Sequence, residues 1–208
     1  MSSTLDSLGG FDGDATVAVL VSSVNGVVAI DGRVGALTGD ADQEVLHGLR
    51  ELACAVVVGA ATVRAEGYDR LLPDGARDRR RALGLPPEPE LIAVGRPPAG
   101  SAGPEDSSPP GGGSDSAARS DSGPDVRGVV AGARARHGDL HPIVVEGGPS
   151  VFAAALAQGV LTDFVVAVSP VLACGRQWEP GDGVAHSFAL RAHAAQDGFV
   201  FLRYGLAR

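Results

Sequence analysis

Apolar residues fall into short runs separated by turn-forming residues, and the spacing within each run predicts its element. Ala15 to Val24 (ATVAVLVSSV) is β-branched and continuous, and it closes on Asn25-Gly26, which predicts a buried strand and a turn. Over Asp40 to Leu52, Val45, Leu46, Leu49 and Leu52 recur at helical spacing behind an acidic first turn. That pattern predicts an amphipathic helix with Asp40 or Asp42 as N-cap. Cys54 to Val58 (CAVVV) is too short for a helix and predicts a second buried strand, with Gly59 opening a turn. Glu90 to Val94 (ELIAV) predicts a third. A strand, helix, strand succession implies a right-handed crossover in a parallel sheet.

From Pro97 to Asp125 the pattern vanishes: 19 of these 29 residues are Pro, Gly or Ser, with no large apolar side chain among them. Such a stretch buries too little surface to offset its ordering entropy, so a flexible loop is expected at about 97–125. Periodicity returns with a short helix over Val126 to Arg136, a strand at Pro142 to Val145, a helix over Val151 to Gln158 stopped by Gly159, and a strand at Asp163 to Val168. Ser187 to Ala192 and Gly198 to Gly205 alternate, predicting a terminal antiparallel hairpin that turns near Asp197-Gly198. The class expected is α/β, as one domain over residues 1–208 with a mostly parallel central sheet flanked by helices.

Composition narrows the chemistry. The net charge is −8, and all 17 basic residues are arginine. Without lysine there is no Walker P-loop, no Schiff-base lysine and no pyridoxal-phosphate anchor, and an acidic chain without a basic stripe argues against nucleic acid. No run of 18 apolar residues occurs and the first fifteen residues lack a basic or apolar leader pattern, so a cytoplasmic protein with no membrane partner is expected. Cys54 and Cys174 lie in apolar runs with no CxxC spacing and read as buried thiols. His47 sits on the amphipathic helix, and His137, His141, His186 and His193 lack ligand spacing, so no metal is expected.

Two strand-end turns carry the candidate chemistry: Gly59-Ala60-Ala61-Thr62-Val63-Arg64 and Glu146-Gly147-Gly148-Pro149-Ser150. The second leads straight into a helix, whose free N–H groups and positive end suit a phosphate. Glycines there permit close backbone approach, and Thr62 and Ser150 add hydroxyls. Neither turn is GxGxxG.

Together with SSVNG at 22–26, DGRVGALTG at 31–39, LRELACAVVVGAATVRAEGY at 49–68, PIVVEGGPSVFAAAL at 142–156 and LTDFVVAVSPVL at 161–172, these turns resemble the pyrimidine reductases of the riboflavin pathway. The resemblance spans about residues 15 to 96 and 141 to 175 and is closest to the actinobacterial branch. It implies a dihydrofolate reductase-like fold, NADPH as hydride donor and often a homodimer. The substrate implied is a small heterocycle, of pyrimidine or pterin type. By the same resemblance Gly59, Thr62, Val63, Glu66, Glu146, Gly147, Gly148, Pro149 and Ser150 contact the cofactor; Arg96 reads either as a bidentate donor to its 2′-phosphate or as a solvated surface arginine. Ser23, Asn25, Arg64, Gly175 and Arg176 would meet substrate.

The chain departs from that pattern at three places. The early turn has Asn25 where the family has aspartate, which leaves Asn25 and Asp31 as catalytic candidates; Asp31 also reads as a solvated turn residue. The Pro/Gly/Ser-rich stretch replaces elements that would hold the adenosine end. One glycine of the turn preceding Arg176 is missing. These departures frame a second reading, a recruited family member that catalyses an isomerisation, cyclisation or elimination without nicotinamide, or that only binds a ligand. Trp178 reads either as packing or as an aromatic lid.

Overall fold

The computed structural model describes residues 3–95, 123–177, 179 and 184–206. Arg96, Trp178 and all but the last three residues of the 97–125 stretch lie outside this set. The strands are β1 (Thr16–Ser23), β2 (Val27–Ala29), β3 (Ala55–Gly59), β4 (Glu90–Val94), β5 (Ile143–Gly147), β6 (Asp163–Ser169), β7 (Arg176–Gln177), β8 (Phe188–Gln196) and β9 (Phe199–Leu206). The helices are α1 (Thr4–Ser7), α2 (Asp40–Leu52), α3 (Ala60–Glu66), α4 (Asp74–Ala82), α5 (Val126–His137) and α6 (Pro149–Ala157).

Seven strands form one sheet in the order β4-β3-β5-β1-β6-β9-β8, and β2 pairs with β7 apart from it. Strands β4, β3, β5, β1 and β6 run parallel, while β9 and β8 are antiparallel. β5 slots between β1 and β3, so the strands of the first strand, helix, strand unit share the sheet without touching. β3 is buried along its whole length because both of its faces are covered, which is why its sequence is a plain apolar run. One core cluster (Val17, Val45, Leu49, Val56, Val144, Phe201) lies on the α1, α2 side. The other (Ala18, Val57, Val130, Ile143, Phe152, Leu156) lies under α5 and α6.

The helix over Asp40–Leu52 begins from Gly39, in extended conformation and with no side-chain cap, so neither Asp40 nor Asp42 is the N-cap. Both acids instead sit inside the first turn. Periodicity misses α4 because its inward positions are Ala76 and Arg80 rather than an apolar stripe. Arg80, 1% exposed, donates to the carbonyls of Glu51, Ala53 and Pro86 and thereby caps the end of α2. Cys54 is buried as expected, whereas Cys174 is exposed, because the segment after β6 runs over the surface. No helix among the described residues is long and apolar enough to cross a membrane.

Candidate functional site

The carboxyl ends of β3 and β5 lie side by side, with Val58 opposite Gly147. A Cβ on Gly59 would stand 3.3 Å from the Gly147 carbonyl oxygen, so the two predicted turns pack directly on one another. Gly147 has φ +94°, and a Cβ there would enter the Phe152 ring at 2.2 Å. Only glycine satisfies both conditions. Gly148 caps α6, and Pro149 starts it, the position where a missing N–H removes no helical bond. The Gly148 N–H points at Thr62 Oγ1 across 3.4 Å, which links the α6 turn to the first turn of α3.

Two cavities adjoin these turns. One, of about 650 Å³, is lined by Pro149, Ser150, Ala153, Gly175, Arg176, Gln177 and Glu179. It puts the α6 N-terminus and Arg176 around one space, so residues expected to serve cofactor and substrate separately share it. The smaller, about 140 Å³, lies over β1 and α2, with Val19, Val21, Val34, Leu46, Asp42, Thr62, Tyr68 and Glu146 in its wall. Thr62 is the residue common to the small cavity and the α6 turn.

Glu146 is held rather than free. Its carboxylate accepts two bonds of 2.6 Å from Nε and Nη2 of Arg50, and a third from Tyr68 Oη at 3.0 Å. Both partners of the ion pair are nearly buried, and Arg50 Nη1 also donates to the Leu71 carbonyl. Arg50 from α2, Glu146 from β5 and Tyr68 after α3 thus brace the cleft. His47, one turn before Arg50, has its pKa lowered by burial and then by the Arg50 charge, with Glu146 opposing.

Asp42 is the functional candidate that the sequence reading passed over. It is 6% exposed, lines the small cavity, and pairs with no arginine or histidine among the described residues. Burial pushes its carboxyl up to about 6, against a smaller lowering from its hydrogen bond with Gln43. The signal was present: Asp42 precedes Val45, Leu46 and Leu49 by three, four and seven residues, so it belongs to the apolar face. A carboxylate on such a face is either paired or functional.

The early turn is organised differently from its expected role. Ser23, 2% exposed, donates from Oγ to Asn25 Oδ1 and accepts from the Val27 N–H. Asn25 Nδ2 donates to the Ala173 carbonyl, and its Oδ1 accepts from the Ala173 N–H. Its amide therefore clasps the segment after β6, and both of its polar atoms are occupied. Asp31 stands at the tip of a tight hairpin, with φ 50° followed by Gly32 at 77° and Ile30 bonded to Arg33. It is exposed and away from both cavities. Gly175 packs on β2, where a Cβ would stand 2.3 Å from the Ala29 carbonyl oxygen. Val63 packs against the core, and Arg64 is exposed on α3. Arg96 and the Glu66 side chain lie outside the described atoms. Among the described residues no cluster of ligands suits a metal ion.

Comparison with solved structures identifies the architecture. A dihydrofolate reductase from Enterococcus faecalis, complexed with NADP(H), superposes with a TM-score of 0.61 over 96% of this chain and all of its own, at 14% identity. The fold is that of the dihydrofolate reductases. A pyrimidine reductase-like protein from Corynebacterium diphtheriae covers both chains completely, at TM-score 0.75 and 21% identity. RibD of Acinetobacter baumannii matches 94% of this chain at TM-score 0.60 and 16% identity, and this chain spans 59% of RibD. No family model and no curated protein matches the sequence.

Proposed function

We propose that the protein is a reductase that uses NADPH to reduce a planar nitrogen heterocycle of pyrimidine or pterin type. The observation that carries this reading is the conjunction of a buried Asp42, with no ion-pair partner among the described residues, and a helix N-terminus that opens on Arg176, the two joined through Thr62. One cavity suits a flat apolar ring with hydrogen-bond donors, and the other suits a diphosphate. The structural neighbours named as reductases, one of them complexed with NADP(H), support it.

The diphosphate fits the residues present. Gly148 has no side chain to fill the approach, Pro149 leaves the turn open, and Ser150 and Arg176 line the same space. When bound, NADPH supplies a hydride at its nicotinamide. The chain's own contribution is positional and electrostatic. Val19, Val21 and Leu46 keep water from the ring site, and Asp42, whose carboxyl burial pushes up to about 6, is placed to hydrogen-bond the ring and, in its protonated form, to give a proton to a ring nitrogen or oxygen. The Arg50, Glu146, Tyr68 brace fixes the walls on which that geometry rests.

Calorimetric titration of the purified protein with NADPH tests the reading. Micromolar binding, about −8 kcal/mol, is expected, weakened in Arg176→Ala. No binding of NADPH, NADH or NADP⁺ would overturn it and favour nicotinamide-free chemistry in the same cleft.

A further inference from the structure

At the end of the sheet opposite the two glycine turns, β1 and β6 begin and β9 ends around a cavity of about 660 Å³. That volume lies within the range of about 300–1,000 Å³ usual for small-molecule sites. Two of its charged groups are spent on each other: Arg203 donates from Nε to Asp163 Oδ1 at 2.8 Å, and its Nη2 lies at the same distance from that oxygen. Arg203 Nη1 donates to the Leu8 and Gly10 carbonyls. Arg191 is not committed in this way. It is the extra residue of a bulge in β8, where the register to β9 shifts between Leu190 and Ala192, and a bulge re-aims a side chain. Its guanidinium lies against the β9 backbone at Gly205, where any Cβ would overlap Nε. Glycine at 205 therefore seats Arg191 at the cavity wall, yet among the described residues Arg191 has no hydrogen bond or ion pair. Asp12 and Asp14, in the segment before β1, line the same space, and their carboxylates are also unpaired among the described residues.

We propose that this cavity binds a basic α-amino acid, with its carboxylate on Arg191 and its two cationic groups on Asp12 and Asp14. Charge selects the class. With Asp163 and Arg203 neutralising each other, the wall keeps the carboxylates of Asp12 and Asp14 and the guanidinium of Arg191, which a ligand with one carboxylate and two cations cancels. A simple anion would meet Asp12 and Asp14, and a simple cation would meet Arg191, so neither uses all three groups. Opposite charges that line one space without pairing are held apart by it, and a ligand carrying both signs spans the gap. Because the Arg191 fork is already seated on Gly205, a carboxylate meets a bidentate donor without the full cost of ordering a long side chain. Val160, Leu161 and Leu206 line the same cavity, and the methylene stem of a basic side chain packs against such a surface. Ala15, just before β1, lines this cavity, while Val19 and Val21 of that strand line the small cavity of the cleft, so the two sites stand apart along one strand.

Calorimetric titration of the full chain with L-arginine tests the inference, beside agmatine, which lacks the carboxylate, and L-citrulline, whose side chain is neutral. L-arginine should bind with a dissociation constant below about 1 mM, at least about 10-fold tighter than either analogue. Arg191→Gln should weaken L-arginine by about 10-fold and leave agmatine unchanged, so that the two bind alike. The double variant Asp12→Asn, Asp14→Asn should abolish the preference for L-arginine over L-citrulline. All three side chains are exposed, and unchanged far-UV circular dichroism would show that the variants fold. No binding of L-arginine, equal affinity for the three compounds, or unchanged affinity in the folded variants would overturn the proposal; the last of these would place any binding elsewhere on the chain. The titrations contain no nicotinamide, so their outcome is independent of whether NADPH binds in the cleft.

Discussion

Asn25 grips residue 173 with both ends of its amide: Nδ2 donates to the Ala173 carbonyl at 2.8 Å, and Oδ1 accepts from the Ala173 N–H at 3.2 Å. The reciprocal pair is reserved for an amide, because a carboxylate cannot donate. Asn25→Asp should therefore lose one hydrogen bond and bring a negative charge to the Ala173 carbonyl. A destabilisation of about 1–2 kcal/mol at pH 7 is expected, with faster hydrogen exchange in the segment after β6. An exchange pattern identical to wild type would mean that the clasp contributes nothing.

Removing half of the Arg50, Glu146 pair leaves the other charge buried and uncompensated. Glu146→Gln should destabilise the protein by about 3 kcal/mol, read as a lower urea midpoint at unchanged m-value. The double variant Arg50→Met, Glu146→Gln should recover part of that loss, since no charge is then stranded.

Asp42 gives a prediction with a definite sign. The folded chain keeps its proton up to about pH 6, while an unfolded aspartate releases it near 3.8. Unfolding between these values releases a proton, so rising pH lowers stability through Asp42, by about 3 kcal/mol at most. Asp42→Asn removes that penalty. It should be more stable than wild type at pH 8, with the gain vanishing below pH 4, and it should reduce substrate at least about 100-fold more slowly if the carboxyl is the proton donor. Thermal melts across pH and single-turnover rates check the two halves separately.

The paired glycines of the α6 turn should respond differently. Gly147→Ala forces a side chain to adopt φ near +94° and to enter the Phe152 ring, so a loss of about 3 kcal/mol or more is expected from strain and overpacking together. Gly148 has no positive φ, and its added Cβ would meet only Thr62 Oγ1 at 3.0 Å. Gly148→Ala should keep most of the stability and weaken NADPH binding, because the methyl group narrows the approach to the α6 N-terminus. Melting temperature and calorimetric affinity, measured on both variants, separate the fold from the site.

By itself the sequence determined the parts whose signal is local. The apolar runs at Ala55–Gly59, Glu90–Val94 and Asp163–Ser169 were legible as strands because burial on one or both faces imposes a pattern within a few residues. Asp197-Gly198 was legible as a turn because both residues take positive φ there. The two glycine turns pointed to the carboxyl ends of β3 and β5, where the cavities lie. What the tertiary structure alone decided is who meets whom. α4 was invisible because its inward anchor is Arg80, whose purpose appears only beside the end of α2. Asn25 was read against a family position, yet its partner is 148 residues away at Ala173. Glu146 looked like a turn residue until Arg50 and Tyr68 closed on it from other elements. Asp42 lay on the apolar face of a predicted helix, but burial gives a carboxyl its shifted acidity only when β1 and the segment after α3 enclose it. Periodicity is a property of neighbours in the chain, whereas desolvation and pairing depend on contacts that exist only once the sheet has assembled.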